Sequence, residues 1–245
     1  MTTSPSKQIY KKHYIPLESN PEVFTTLIHR LGVSPDLEWV DVYSIDDPEL
    51  LAFVARPVHA LVLVFPTTAA YEAKTKIDED KRTQHIGSGL NEKVIWYKQT
   101  INNACGLYGI LHAVSNGPAR DHINENSTLK KLLTSAIPLE PKARAQLLEG
   151  SVELEEAHRE AAMQGDSVVP ENAEDEVDYH YICFVKSRKD GHLYELDGDK
   201  KGPIDMGPMD GEDLLEGPGQ GAIRACVNAE QGANAGFALL ALVPS

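Results

Sequence analysis

Residues 58–65, VHALVLVF, constrain the fold more than any other stretch. The run is apolar, lacks polar alternation and is rich in β-branched residues, which describes a strand buried on both faces and hence central in its sheet. It falls far short of the roughly 20 apolar residues of a membrane span, and Pro66 stops it. A chain of 245 residues can bury a real core in one large or two small domains. No internal repeat or long linker divides this one, so a single domain over 14–245 is expected after a mobile polar leader, 1–13.

Around that strand the pattern places helices and shorter strands. Asn20-Pro21 opens a helix whose apolar face is Val23, Phe24, Leu27, Ile28 and Leu31, and Gly32 ends it. A short strand is expected over 39–43, a brief helix from Asp47-Pro48 through Val54, and a charged helix over 69–82. Residues 85–92 read as a loop. Further helices fall at 127–133, 141–150 and 152–163. Residues 164–178, QGDSVVPENAEDEVD, are acidic and unpatterned, a long loop of the kind that is usually functional or disordered. Two strands, 179–185 and 192–197, form a hairpin around Lys189-Asp190-Gly191. Residues 207–221, glycine- and proline-rich, read as loop, and a last helix at 222–229 and a last strand at 237–243 finish the chain.

Chemistry concentrates in residues 93–116, KVIWYKQTINNACGLYGILHAVSN. A strand-like aromatic run passes through the polar bend at 99–103 into a helix that starts at Cys105. Leu107, Ile110, Leu111 and Val114 recur at helical spacing and predict one buried face. A thiol at a helix N-terminus feels the positive end of the dipole and the free N–H groups there, both of which favour thiolate. Gln99, six residues upstream, can add a side-chain amide to a backbone N–H as oxyanion support.

A nucleophilic cysteine needs a base, and the base needs an orienting group. Of nine histidines, His180 stands out because it starts a strand directly after the long acidic loop. Along that strand His180, Ile182 and Phe184 share one face and Tyr181, Cys183 and Val185 the other, so Cys183 is a small buried hydrophobe. Asp197 is a conditional partner. With a two-residue hairpin loop it lies roughly 13 Å along the strand from His180, at ~3.3 Å per residue. A four-residue loop, 188–191, instead pairs Ser187 with His192 and puts Asp197 diagonal to His180 at about 7–8 Å between backbones.

The formal net charge of −14 repels nucleic acid and anionic membranes and favours a basic partner. The N-terminal MTTSPSKQIYKKH has no apolar h-region, so no secretory signal is expected. Three cysteines, far apart and without a CxxC spacing, suggest neither a disulfide framework nor a metal site, and point to a reducing compartment.

At QTINNAC, DYHYICFV and LYELDG the sequence resembles the ubiquitin carboxyl-terminal hydrolase family of papain-like cysteine peptidases, in its small single-domain form. Further matching segments, PLESNPEV, WVDVY, DPELL, RPVHALVLVFP and STLKKLL, run over nearly the whole chain. The resemblance implies an α/β (α+β) fold with a central antiparallel sheet flanked by helices and a knotted backbone. It makes Cys105 the nucleophile, His180 the general base, Asp197 its orienter and Gln99 part of the oxyanion hole, with no cofactor. Residues 164–178 become a crossover loop that straddles the active site. The implied partner is ubiquitin, whose basic tail suits the acidic balance, with Asp41 near a tail arginine and Tyr179 bordering the tail's channel. A monomer in the cytoplasm or nucleus is expected. Three readings follow: hydrolysis after ubiquitin's terminal glycine, ubiquitin binding with little turnover, or preference for a ubiquitin-like modifier. Two departures from the family pattern are a slightly long His180–Asp197 interval, absorbed by the longer hairpin loop, and a Gly/Ala-rich segment at 231–236.

Overall fold

The computed structural model describes residues 10–165, 179–217, 220–221, 223–224 and 236–245. Its sheet has six strands in the order β2 (Leu37–Asp41), β8 (Ala238–Pro244), β3 (Ala60–Pro66), β5 (Tyr179–Lys186), β6 (His192–Leu196) and β7 (Ile204–Pro208). Every neighbouring pair is antiparallel. The apolar run of the sequence is β3, third in the order, with Ala60 to Phe65 all buried.

Alternation along β3 and β5 divides the core into two clusters. Ala60, Val62 and Val64 with Tyr181, Cys183 and Val185 face one side, which is packed by α1 (Pro21–Leu31), α4 (Cys105–Ser115), α5 (Thr128–Ala136) and α7 (Val152–Ala162). Leu61, Leu63 and Phe65 with Ile182 and Phe184 face the other, covered by Val42, Val54, Met209, Leu214, Leu215 and Ile223. Helix α1 begins as its sequence predicts. The Asn20 side chain accepts from the N–H groups of Glu22 and Val23, Pro21 occupies the first turn, and Gly32 closes the helix at φ 102°. Asp47 and Ser127 cap α2 (Pro48–Leu51) and α5 in the same way. Helices α3 (Ala69–Asp80) and α6 (Pro141–Glu149) also lie where the pattern places them. Among the described residues no helix is long and apolar enough to cross a membrane.

Several expectations need correction. The aromatic run before Cys105 is not a strand of the sheet: residues 95–100 have no regular secondary structure and join no ladder among the described residues. Side chains replace the ladder there. Ile95 N–H donates to Asn116 Oδ1 at 2.7 Å, Asn116 Nδ2 donates back to the Ile95 carbonyl at 2.9 Å, and Tyr97 N–H donates to His112 Nε2 at 3.0 Å. Helix α4 is buried all round from Gly106 to Ser115, as its lack of charged residues requires. Its apolar stripe marked only part of the buried surface. The edge strand β7 lies within what read partly as loop, because an edge position tolerates Gly207 and Pro208. The leader is ordered at its end: Lys12–His13 (β1) pair with Ile101–Asn102 (β4), and Lys12 bridges to Glu155 at 2.6 Å. The strand at 39–43 ends at Asp41, and the helix after Asp47 ends at Leu51. The helix expected at 222–229 lies, apart from Ile223 and Arg224, outside the described residues, as do 231–235 of the Gly/Ala-rich segment. The crossover loop lies outside beyond Gln164 and Gly165, and with it the part of the chain path on which a knot would be judged.

Candidate active site

The base side is built by the hairpin register. Cys183 pairs with Leu196, Phe184 with Glu195, Val185 with Tyr194 and Lys186 with Leu193. Ser187 N–H donates to the His192 carbonyl at 2.8 Å, so the loop is the four-residue one. The register carries Asp197 to the strand end where His180 begins β5, and Nε2 of His180 donates to Asp197 Oδ2 at 2.9 Å. Both side chains are buried, Asp197 at 2% exposure. Asp197 Oδ1 accepts the Asp199 N–H at 2.9 Å, and the Lys200 ammonium lies 4.0 Å from Oδ2. Beneath them the Trp96 indole N–H donates to the Asp197 carbonyl at 2.9 Å.

Those contacts decide the charge state of the pair. Burial alone penalises the Asp197 carboxylate, but the His180 charge and hydrogen bond, with Lys200 behind, hold its pKa well below the ordinary range. Burial likewise disfavours imidazolium, yet Asp197, then Cys105 and Asp199, raise His180 well above its ordinary value. Both shifts favour the carboxylate–imidazolium form of the pair.

The nucleophile side is built by the turn before α4. Asn103 takes a left-handed conformation at φ 57°, which asparagine tolerates better than most residues, and the chain enters α4 at Cys105. The preceding residue, Ala104, offers no side-chain cap. No capping oxygen thus competes for the first-turn N–H groups, which leaves them able to receive a developing oxyanion. Cys105 is half-buried, its Sγ lies 3.9 Å from the Tyr179 carbonyl, and it is close enough to His180 to help raise the imidazole's pKa. Gln99 is tied to the Asp197 turn through its backbone, whose N–H donates to the Gly198 carbonyl at 2.9 Å. A Cβ on Gly198 would sit 2.8 Å from the Gln99 Cβ, so only glycine permits this approach. The Gln99 side chain is buried, and its Oε1 has no protein partner among the described residues.

This arrangement suits acyl transfer: a thiol at a helix N-terminus, an imidazole held by a carboxylate, and a buried amide whose backbone is tied to the Asp197–Gly198 turn. A model of the ubiquitin carboxyl-terminal hydrolases, family 1, matches residues 14–227. The chain belongs to this family.

A probable ubiquitin carboxyl-terminal hydrolase of Dictyostelium discoideum is 42% identical over 206 residues, 84% of this chain and 79% of its own. Ubiquitin carboxyl-terminal hydrolase 3 of Arabidopsis thaliana is 38% identical over 212 residues, 86% of each chain. The fold matches the crystal structure of the Trichinella spiralis UCH37 catalytic domain bound to ubiquitin vinyl methyl ester at a TM-score of 0.72 and 20% identity. That match covers 96% of this chain and 97% of the other. Like that ubiquitin carboxyl-terminal hydrolase domain, this one is a mixed α/β structure around a central antiparallel sheet.

The other sequence-predicted residues lie further from the chemistry. Tyr179 is 47% exposed beside Cys105. Asp41 ends β2 opposite Leu240, three strand spacings from β5, or about 14 Å. Partial burial raises its pKa. Cys183 is fully buried in the cluster that packs against α4, and burial pushes its thiol up, away from reactivity. Two residues escaped the sequence reading. Trp96 gave no signal beyond its apolar neighbours, whereas Asp199, in LDGDK, could have been found as a second acid two positions after Asp197. His180, Asp197 and Asp199 offer ligand atoms within 4.8 Å of one another, but Nε2 is committed to Asp197 and lysines already neutralise the carboxylates.

Proposed function

We propose that this protein is a thiol hydrolase that cleaves after the terminal glycine of ubiquitin through an acyl-enzyme, with Cys105, His180, Asp197 and Gln99 as its working residues. The observation that carries the reading is the His180–Asp197 hydrogen bond of 2.9 Å, on the nitrogen opposite the one that can serve sulfur. Names and sequence identity of the relatives supply the substrate.

In the first half of the reaction the Cys105 thiolate adds to the glycine carbonyl. The oxyanion is received by the Cys105 N–H and the Gln99 amide. The carbon–nitrogen bond breaks as His180 gives its proton to the leaving amine, and a thioester remains. In the second half His180 takes a proton from water, the hydroxide adds to the thioester, and the carbon–sulfur bond breaks to give the carboxylic acid and the Cys105 thiolate; the acid loses its proton to solvent and the thiolate–imidazolium pair is restored. Asp197 holds one ring nitrogen throughout and stabilises the imidazolium without itself being protonated. Asp41 and exposed Tyr179 are placed in this reading as contacts for a basic tail, of ubiquitin or of a ubiquitin-like modifier, by a monomeric enzyme.

A fluorogenic amide on the ubiquitin C-terminus tests the reading. Wild-type protein releases the fluorophore, and Cys105→Ala reduces release to the uncatalysed rate while binding ubiquitin as before. Equal rates in the two proteins would overturn it.

A further inference from the structure

His180 has two ring nitrogens, and Asp197 occupies only one. On the other, Nδ1, the nearest carboxylate is Asp199 Oδ2 at 3.9 Å. This distance exceeds a hydrogen bond but is well within the range of a charge–charge contact. Asp199 is held there by its backbone. Its N–H donates to Asp197 Oδ1 at 2.9 Å, and its carbonyl accepts from Lys98 Nζ at 2.8 Å. The side chain itself is 44% exposed. Aromatic rings, those of Phe65 and Tyr71, also face the imidazole, with centroids at 5.8 and 6.4 Å. Cys105 is the remaining group that favours the charged imidazole, and Lys200 and Lys98 add positive charge behind Asp197 and Asp199.

We propose that Asp199 is a positioning residue, a second and solvent-facing carboxylate that holds the imidazolium of His180 with Nδ1 turned toward Cys105. This rests on the thiol-hydrolase reading above and deepens it. Asp197 fixes the far nitrogen by a buried, directional bond. Asp199 stabilises the charge on the near nitrogen without accepting its proton in a short bond, so the proton stays free for sulfur and for the leaving amine. Because the contact is exposed, ionic strength tunes it. The buried Asp197 contact is screened far less.

The test is the pH dependence of Cys105 alkylation by iodoacetamide in the full chain, with the modified cysteine identified by peptide mass spectrometry. It needs no ubiquitin. Wild-type protein gives two steps, formation of the thiolate–imidazolium pair and then loss of the imidazolium proton. One charge at 3.9 Å in a water-like surrounding is worth on the order of half to one pH unit. Asp199→Asn therefore lowers the upper step by about that amount, Asp199→Glu leaves it close to wild type, and 1 M salt shrinks the difference. Coincident upper steps in wild type and the asparagine variant would overturn the proposal. So would equal shifts in the asparagine and glutamate variants, or a rate lowered at every pH with neither step moved, which marks a structural role alone. The parent reading fails separately: wild-type protein would then show the two-step alkylation profile without hydrolysing the ubiquitin amide.

Discussion

His180 and Asp197 reach each other through the regular ladder of β5 and β6, whereas the segment that delivers Gln99 and Cys105 has no ladder. Between residues 95 and 100 backbone groups bond to the side chains of Asn116, His112, Arg144 and Tyr108 and to the Gly198 carbonyl. The contrast has a physical consequence. Main-chain ladders survive most side-chain substitutions, so on the base side chemistry can be removed while the fold persists. On the nucleophile side single side chains stand in for a strand neighbour, and removing one breaks the fold before it touches the chemistry.

Asp197→Asn breaks the base side and carries the largest expected effect. By analogy with Ser–His–Asp sites, loss of the orienting carboxylate costs on the order of 10³–10⁴ in kcat, while the hairpin ladder remains. The same variant reads out the charge pair as stability. His180 is raised, so its contribution is full below the ordinary histidine value of 6.5 and is lost as pH rises through the folded value. Asp197 is depressed, so its contribution is full above the ordinary 3.8 and is lost as pH falls through its folded value. The wild-type advantage over Asp197→Asn in thermal melts is thus greatest between these two values and narrows on either side. A difference that is flat from acid to alkali would show that the pair is not ionised in the folded protein.

Asn116→Ala breaks the other side. The substitution strips an acceptor from the Ile95 N–H and donors from the Ile95 and His112 carbonyls, bonds of 2.7, 2.9 and 2.9 Å, in a buried place. Unsatisfied buried groups cost about 1–3 kcal/mol each. A total loss of about 3 kcal/mol or more is expected in urea unfolding, with kcat of the molecules that remain folded changed far less. Full stability in this variant would mean that the segment does not rely on its side-chain surrogates.

The same contrast governs what the sequence revealed. Period-two alternation showed which residues of β5 share a face, and the arithmetic of the hairpin loop made the His180–Asp197 contact a test of register, because ladders obey simple spacing. Capping at Asn20, Asp47 and Ser127 was legible for the same reason: local bonds leave local signals. Residues 94–97 have strand composition but pair with nothing. Their partners, Asn116 and His112, lie 15 to 21 residues away on a helix, and no periodicity encodes such a pairing. Strand β7 was missed because edge positions tolerate Gly207 and Pro208. Burial of α4 on all sides exceeded its stripe because Gly106, Gly109 and Ala113 pack without being strongly apolar.

Trp96 is where the two regions meet, and it offers the finest test of their separation. It belongs to the ladder-less segment, is fully buried, and has its carbonyl held by Arg144, itself buried and paired with Glu92. Its indole N–H, however, serves the base side, through the Asp197 carbonyl at 2.9 Å. Trp96→Phe keeps an aromatic ring in the core and removes that one donor, a loss of roughly 1 kcal/mol. If the indole positions Asp197, kcat falls by about three- to tenfold with KM unchanged, because both groups are buried away from the surface that meets substrate. If Trp96 only fills space, the melting temperature falls and kcat does not. The first outcome would make the core beneath the hairpin part of the base's support, and the second would leave the β5–β6 ladder to place the carboxylate unaided.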